Sequence, residues 1–515
     1  MLGQDSDALC ASGCTYMEQA LSIVVVGASG DLAKKKTFPA LYDLYTHGFL
    51  PEHTKICGFA RSEMTDEQLR TKLRPFLEKI KDLSPDGECP KCFWQVFYKN
   101  GGYADAAAMK GVADQLLTWE QEHGSPIGNR VYYFAIPPTV FLDTAKIINS
   151  SGMAPNGWTR LIVEKPFGHD YGSALELSDG LKQYFQEHHI YRIDHYLGKE
   201  MVQNLLCMRF SNKIFEPIWN RDHISAVIFT FKENFGTEGR GGYFDKFGII
   251  RDIIQNHLMQ VFSLLAMEAP VRVSGTDYSN YIRDAKVASM AAIEPIRLDE
   301  CVIGQYEGTG DEPGYQDDPG VPKGSLTPTF ATVVVRVNNP RWEGVPFIFK
   351  AGKALNERKA EVRIQLRQPA GSGFMFDNEP VPRNELVMRL QPSESIYLKA
   401  NVKAPGLNSH LLQSELDLTY GTRYPDEYSP DAYTRLILEV LRGQQATFVR
   451  RDELLASWKV FTPLLKAIEA GEVPMHNYKF GTRGPAESDE LMSKVGFIYH
   501  SNYTWVDVPK ESSKN

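Results

Sequence analysis

The sequence predicts an α/β protein with an α+β part: an N-terminal doubly wound domain, then a larger domain with a mainly antiparallel sheet covered by helices. Three observations carry that expectation. Short β-branched runs alternate with amphipathic stretches up to about residue 198, and beyond about residue 200 the runs lengthen and alternate polar with apolar residues. The 515 residues, 43% of them hydrophobic, also exceed one core, since single domains stop growing near ~250–300 residues. The expected layout is a flexible tail at 1–20, a Rossmann-like domain at 21–198 and an α+β substrate and oligomerisation domain at 199–515.

Residues 1–20 are small and polar without periodicity, the habit of a mobile tail. Ser22-Ile23-Val24-Val25-Val26 is a β-branched run ending at Gly27, as in a strand buried on both faces of a parallel sheet. Similar runs recur at 55–60, 130–136, 160–163 and 189–193, separated by helix-like stretches such as 66–83 and 173–186. Later strand-like segments fall at 226–231, 332–337, 360–366, 385–390 and 395–402. Among them Glu361-Val362-Arg363-Ile364-Gln365-Leu366 alternates as a strand with one solvated face does. Helical patterns at 249–267 and 431–442 are expected to cover the other face of that sheet. The stretch 309–324, rich in Gly, Pro and Asp, is an excursion loop, and no internal repeat is present.

Charge excludes one class of partner. The net charge of -8 argues against nucleic acid, whose phosphates need a basic face, so an anionic small ligand requires a local basic cluster. No run approaches the ~18–20 apolar residues of a spanning helix, so no membrane partner is expected. The first 22 residues lack a basic start followed by an apolar block. Ser512-Ser513-Lys514-Asn515 resembles a peroxisomal address but ends in the wrong residue. The cytoplasm is the expected compartment. Cys10, Cys14, Cys57, Cys89, Cys92, Cys207 and Cys301 are an odd, irregular set, mostly thiols in a reducing compartment. Cys89-Pro90-Lys91-Cys92 has no second CxxC and no HxxxH to complete a zinc site, so no metal is expected, and plain thiols or a redox-sensitive pair both fit.

Four segments carry chemistry. Gly27-Ala28-Ser29-Gly30-Asp31-Leu32-Ala33 lies between the first strand and a helix, fitting either a pyrophosphate cradle or an ordinary tight turn. The second strand is followed by Arg61 rather than the acidic residue that would accept an NAD ribose hydroxyl; a cation there suits a 2′-phosphate, although a solvated strand end also fits and Glu63 lies close. Asp194-His195-Tyr196-Leu197-Gly198-Lys199 packs donors and a carboxylate at a strand end, where His195, Tyr196 and Lys199 could grip a phosphate. In Gly248-Ile249-Ile250-Arg251-Asp252-Ile253-Ile254-Gln255-Asn256-His257 a histidine stands among helical apolar residues, as a satisfied core residue or as a base titrating near neutrality. Asp252 precedes His257 by five residues, ~140° around an α-helix, so Asp194 is the better candidate to orient the ring. Lys165, before Pro166, and the cations from Lys350 to Lys359 are further candidates.

GASGDLAKKK, FARS, EKPFG, RIDHYLGKE, FKENFGTEGRGGYFDKFGIIRDIIQNH, GKALNERKAEVR and SELDLTYGTRY, in this order, resemble the glucose-6-phosphate dehydrogenase family from about residue 23 to residue 505. The resemblance implies oxidation of glucose 6-phosphate to 6-phosphoglucono-1,5-lactone with reduction of NADP, the entry step of the oxidative pentose phosphate pathway. By matching motif it implies His257 as base and Asp194 as its partner. It places His195, Tyr196, Lys199, Lys165, Glu233, Asp252, Lys353, Arg358 and Gln391 on the sugar phosphate. It places Gly27, Ala28, Ser29, Gly30, Asp31, Leu32, Ala33, Lys34, Arg61, Tyr133 and Lys165 on NADP. A second, structural NADP, found in some family members, would meet Lys359, Arg363, Arg389, Tyr397, Lys399, Asp417, Arg423, Arg483, Tyr499 and Trp505. Lys350 stands where that pattern can have arginine, and lysine lacks the planar fork. A homodimer or homotetramer is expected. Competing expectations are a same-fold dehydrogenase of another hexose phosphate or of glucose, and a non-catalytic NADP-binding sensor. The sensor should have lost His257 or Asp194, and both are present.

Overall fold

The computed structural model describes residues 14–79, 96–123, 127–275, 277–376, 381–407 and 410–499. They form two compact units that do not follow the chain in sequence. One gathers the chain up to Cys207 with Arg251–Ala292 and Glu427–Lys466; the other gathers Met208–Ile250, Ile293–Asp426 and the chain from Ala467 onward.

The first unit is built on six parallel strands, β1 (Ala20–Val26), β2 (Thr54–Ala60), β3 (Phe97–Asn100), β4 (Gly128–Phe134), β5 (Thr159–Val163) and β6 (Ile190–Arg192). Their order is β3-β2-β1-β4-β5-β6, with every pair parallel. This is the doubly wound arrangement in which ligands bind outside the carboxyl ends of the strands. All seven residues of β1 and of β4 are buried, which is why residues 23–26 and 131–134 read as continuous apolar runs rather than alternating ones. The helix Asp66–Leu77 opens on a capping box, with Thr65 accepting from the Gln68 N–H and Gln68 from the Thr65 N–H.

The helical pattern expected at 431–442 is present as Ala432–Arg442, but it does not cover the second sheet. Its Tyr433, Leu436, Ile437, Val440 and Leu441 join the core of the first unit, with Leu41 and Leu44 of the helix Phe38–Thr46 and Ile23 and Val25 of β1. An apolar helix face declares that it is buried, not against what.

The second unit is a nine-stranded sheet of β7 (Ile224–Lys232), β8 (Cys301–Glu307), β9 (Phe330–Val335), β10 (Phe347–Gly352), β11 (Lys359–Leu366), β12 (Glu385–Gln391), β13 (Ser395–Lys403), β14 (Leu411–Thr419) and β15 (Met475–Lys479). The order is β14-β13-β12-β11-β7-β10-β9-β8-β15; β7 with β10 and β8 with β15 are parallel, the other pairs antiparallel. Helix Ala486–Lys494 packs on it, with Leu491 and Met492 against Ala226, Ile228, Val302, Val334 and Ile348. Among the described residues no helix is long and apolar enough to cross a membrane.

Candidate active site

After β1 the chain turns through Gly27-Ala28-Ser29-Gly30 into a helix that includes the π-helical segment Ala33–Thr37. Gly27 has φ +90°, and a Cβ there would lie 2.3 Å from Ala135 O, so a side chain is excluded on both counts. The Gly27 N–H donates to Phe59 O at 2.7 Å, and the Gly30 N–H to Gly27 O at 2.9 Å. Asp31 holds Lys34 and Lys35, each at 3.1 Å. Arg61 is exposed just past β2, 5.2 Å from the Tyr103 ring centre, with no ion pair among the described residues. Ser62 Oγ donates to Ser29 Oγ at 3.3 Å, which ties that strand end to the glycine turn.

Asp194 follows β6 and caps the tight turn His195–Gly198, its Oδ1 accepting the Tyr196 N–H at 2.9 Å. The same Oδ1 lies 2.6 Å from His257 Nδ1. His257 is 1% exposed, and Lys165 Nζ stands 3.0 Å from its Nε2. An ammonium only donates, so Nε2 is the accepting nitrogen and Nδ1–H donates to Asp194. The imidazole thus presents a lone pair on the side away from its carboxylate.

Lys165 Nζ also donates to Asp252 Oδ1 at 3.0 Å and to Asp252 O at 3.2 Å. The expected separation of Asp252 from His257 therefore does not hold. Both sit in the π-helix Ile250–Leu258, whose i→i+5 closure brings residues five apart onto successive turns, so one ammonium reaches both. The orienting carboxylate is still Asp194. The wide helix is held from outside: Ser457 Oγ donates to Gln255 O at 2.9 Å, and Arg251 Nε to His169 O at 2.8 Å. Lys165–Pro166, which follows β5, is a cis bond.

Burial and charge set the protonation states. Burial alone would raise Asp194, but His257, His195 and the Tyr196 N–H bring it down to about 2. Burial pulls His257 below the usual imidazole range; Asp194 opposes this and Lys165 adds to it. His195 lies well below its usual value through burial and then the neighbouring His257. Tyr196 stacks on His257 with ring centres 4.6 Å apart, and Lys199 Nζ stands 5.2 Å from the Tyr196 ring centre. Potential ligand atoms of Asp194, His195 and His257 all lie within 4.8 Å of one another. A metal would have to displace the Asp194–His257 hydrogen bond and face the Lys165 ammonium, so the trio is organised around a proton instead.

In the second unit Lys353 Nζ pairs with Glu233 Oε2 at 2.5 Å, while Arg358 is exposed and Gln391 ends β12. Lys359, Arg363, Arg389, Tyr397, Lys399 and Asp417 share one face of β11 to β14, since Glu361 is opposite Arg389, Arg363 opposite Val387, Val387 opposite Tyr397, and Tyr397 opposite Asp417. The cations are already cross-paired: Arg363 with Glu361 at 2.7 Å and Glu385 at 3.1 Å, Lys359 with Glu357 at 3.1 Å, Lys399 with Glu385 at 3.5 Å. Burial would raise Glu361, yet Arg363 and Lys359 hold it near 2. Burial lowers Lys350 to about 8, against the pull of Asp489 at 3.2 Å. Arg423 is exposed, and Arg483 lies 4.0 Å from the Tyr499 ring centre. Trp505, like Cys89 and Cys92, lies outside the described residues.

Two family models match: residues 24–204 fit "Glucose-6-phosphate dehydrogenase, NAD binding domain" and residues 206–505 fit "Glucose-6-phosphate dehydrogenase, C-terminal domain". The chain belongs to the glucose-6-phosphate dehydrogenase family. As a member it is a dehydrogenase with a dinucleotide-binding domain. It is 51% identical over 495 residues to glucose-6-phosphate 1-dehydrogenase 5, cytoplasmic, of Arabidopsis thaliana, covering 94% of this chain and 93% of that one. To the glucose-6-phosphate 1-dehydrogenase of Dictyostelium discoideum it is 48% identical, covering 96% and 98%. A solved glucose-6-phosphate dehydrogenase in complex with its substrate glucose-6-phosphate superposes with TM-score 0.88 at 45% identity, over 94% of this chain and 99% of that one.

The EKPFG motif contributes a second residue beside this cluster. Glu164, buried at the strand end beside Lys165, accepts the hydroxyl of Tyr133, itself 1% exposed, at 2.5 Å. Burial lifts its carboxyl to about 7 despite Tyr133 and Lys165. No local signal marks it, since a carboxylate directly after the apolar run of β5 reads the same whether it is buried or solvated.

Proposed function

We propose that this chain oxidises glucose 6-phosphate at C1 with NADP as hydride acceptor, and that His257 is the general base. The observation that carries this is the single hydrogen-bonded line Asp194–His257–Lys165, with the lone pair of Nε2 turned away from Asp194. A C1 hydroxyl in place of the Lys165 contact would give its proton to Nε2, and Asp194 would stabilise the imidazolium so formed. Lys165, kept in position by Asp252, would donate to the sugar oxygen instead of to the ring. His195, Tyr196 and Lys199 would hold the 6-phosphate; Glu233, Lys353, Arg358 and Gln391 are proposed as further sugar contacts.

The glycine turn stands at the carboxyl end of β1, where a doubly wound sheet takes a pyrophosphate, and Gly27, at φ +90° against Ala135, lets the chain make that tight turn. Arg61, an exposed cation without an ion pair among the described residues, would meet the 2′-phosphate. When bound, NADP supplies the carbon that accepts the hydride. The cation-rich face of β11 to β14 is proposed to take a second, structural NADP by partner exchange, its carboxylates releasing Arg363 and Lys399. The cytoplasm is the proposed compartment, in line with the names of two plant relatives, and a homodimer or homotetramer the proposed assembly. The test is the absorbance of reduced nicotinamide with glucose 6-phosphate or glucose, each with NADP or NAD. Turnover should require the phosphorylated sugar and prefer NADP; equal rates with glucose would refute the substrate.

A further inference from the structure

Away from the glycine turn and His257, the first unit holds a polar cavity of about 580 Å³. Glu187, Asn280, Arg283, Gln444, Gln445 and Arg450 are among the residues that line it. Its volume is within the range of small-molecule sites, ~300–1,000 Å³. Arg283 is 4% exposed, yet its three hydrogen bonds all go to neutral oxygens: Nε to Ser279 O at 3.2 Å, and Nη2 to Asn280 Oδ1 at 2.8 Å and to Gln445 Oε1 at 3.2 Å. Nη1 takes part in none of them, and no carboxylate lies within ion-pair distance of the guanidinium among the described residues. A buried cation ordinarily has a carboxylate beside it. The carboxylates nearby are engaged elsewhere: Glu187 by Arg192 and by the Arg451 N–H, Asp284 and Asp452 by Arg450, Glu453 by Lys286 at 2.6 Å. Only the exposed Asp277 lines the cavity without such a partner among the described residues.

A second feature converges on the same place. The helix Tyr278–Ala291, which carries Arg283, starts here, and its preceding residue Asp277 has φ 60° and gives no side-chain cap. Its first N–H groups therefore add a positive end to the wall that already holds the guanidinium. Amides of Asn280, Gln444 and Gln445 line the rest, as a polar organic group requires.

We propose that this cavity is a second anion site, separate from the catalytic centre, which takes the phosphate group of a small polar phosphomonoester. The phosphate meets Arg283 Nη1 and the start of the helix, two features that favour a dianion together. The organic part occupies the volume that a free phosphate would leave empty.

The test measures thermal unfolding of the full chain against added inorganic phosphate or glycerol phosphate, with chloride at matched ionic strength. It is run in a Lys199→Ala background, so that the phosphate grip proposed for the substrate does not contribute. Asn280→Asp places a carboxylate against Arg283 without removing a buried group; Arg283→Gln removes the cation. Both phosphates should raise the midpoint of Lys199→Ala saturably, glycerol phosphate at the lower concentration. Adding Asn280→Asp should weaken this response about tenfold or more, the size of one charge-assisted contact, while raising the midpoint without phosphate. A response unchanged by Asn280→Asp, or no saturable response in Lys199→Ala, overturns the proposal. Tighter binding of inorganic phosphate than of glycerol phosphate overturns the assignment to a phosphomonoester. The readout involves no turnover, so its outcome is independent of the assignment of His257.

Discussion

Two regions of this molecule concentrate charge in apolar surroundings, and they do so by opposite means. Around His257 the groups come from a strand end, a tight turn and a π-helix, and are linked in a line, Asp194 to His257 to Lys165 to Asp252. On the face of β11 to β14 they come from regular alternation along neighbouring strands and are cross-paired, cation to carboxylate. A line has two ends and can pass a proton; in a cross-paired lattice a cation leaves its carboxylate only for a competing anion. Irregular backbone thus carries the region proposed to react, and strand alternation the face proposed to bind the second dinucleotide.

That contrast is breakable. The largest expected effect is at the line: His257→Asn should lower kcat by at least ~10²–10⁴ while leaving KM for glucose 6-phosphate within a few-fold, because the base acts only in the transition state. Near wild-type kcat would remove the base from the account. Next, Lys199→Ala should weaken kcat/KM for glucose 6-phosphate by about 2 kcal/mol and scarcely affect glucose, since only the former loses a charge-assisted contact. Equal losses would move Lys199 off the phosphate.

Smaller and more selective, Arg61→Ala should reduce kcat/KM for NADP by roughly ten- to a hundred-fold, the ~1.5–3 kcal/mol of one charged hydrogen bond, and leave NAD nearly unchanged. The smallest effect belongs to the lattice. Arg423→Ala, at an exposed position, should leave kcat unchanged but cut the NADP-dependent rise in Tm by about 1–2 °C, if one tenfold step of affinity for the structural dinucleotide is lost. An unchanged rise would mean that this face does not bind it.

The same contrast explains what was legible in the sequence. The strands at 22–26, 55–60 and 385–390 stood out because they are long enough for apolar runs or alternation to register. β3 escaped notice: four residues, Phe97 to Asn100, with the last two exposed, carry too little pattern. In β10 the buried Lys350 interrupts an apolar run, and its only visible role was as part of a cation cluster. Asp194 and His257 could be paired by residue type, because a base near neutrality needs an orienting carboxylate. The proximity of Asp252 could not, since an apolar stretch looks the same whether it closes at i+4 or i+5. Glu164 was hidden for a related reason: nothing local tells a carboxylate at a strand end that it will be buried.

The acid limb of kcat/KM against pH reports the free enzyme's essential base. His257 must be neutral to act, and burial holds it below the ordinary ~6.5, so activity should persist below that pH and fall only as protonation sets in. Lys165→Ala removes a cation that disfavours protonation and should move the limb to higher pH. Asp194→Asn removes a carboxylate that favours it and should move the limb lower, with a reduced kcat. Glu164→Gln, which eliminates the buried carboxyl at about 7, should leave the limb in place. A limb that ignores Lys165 and Asp194 and disappears with Glu164→Gln would contradict the assignment of His257 as the titrating base.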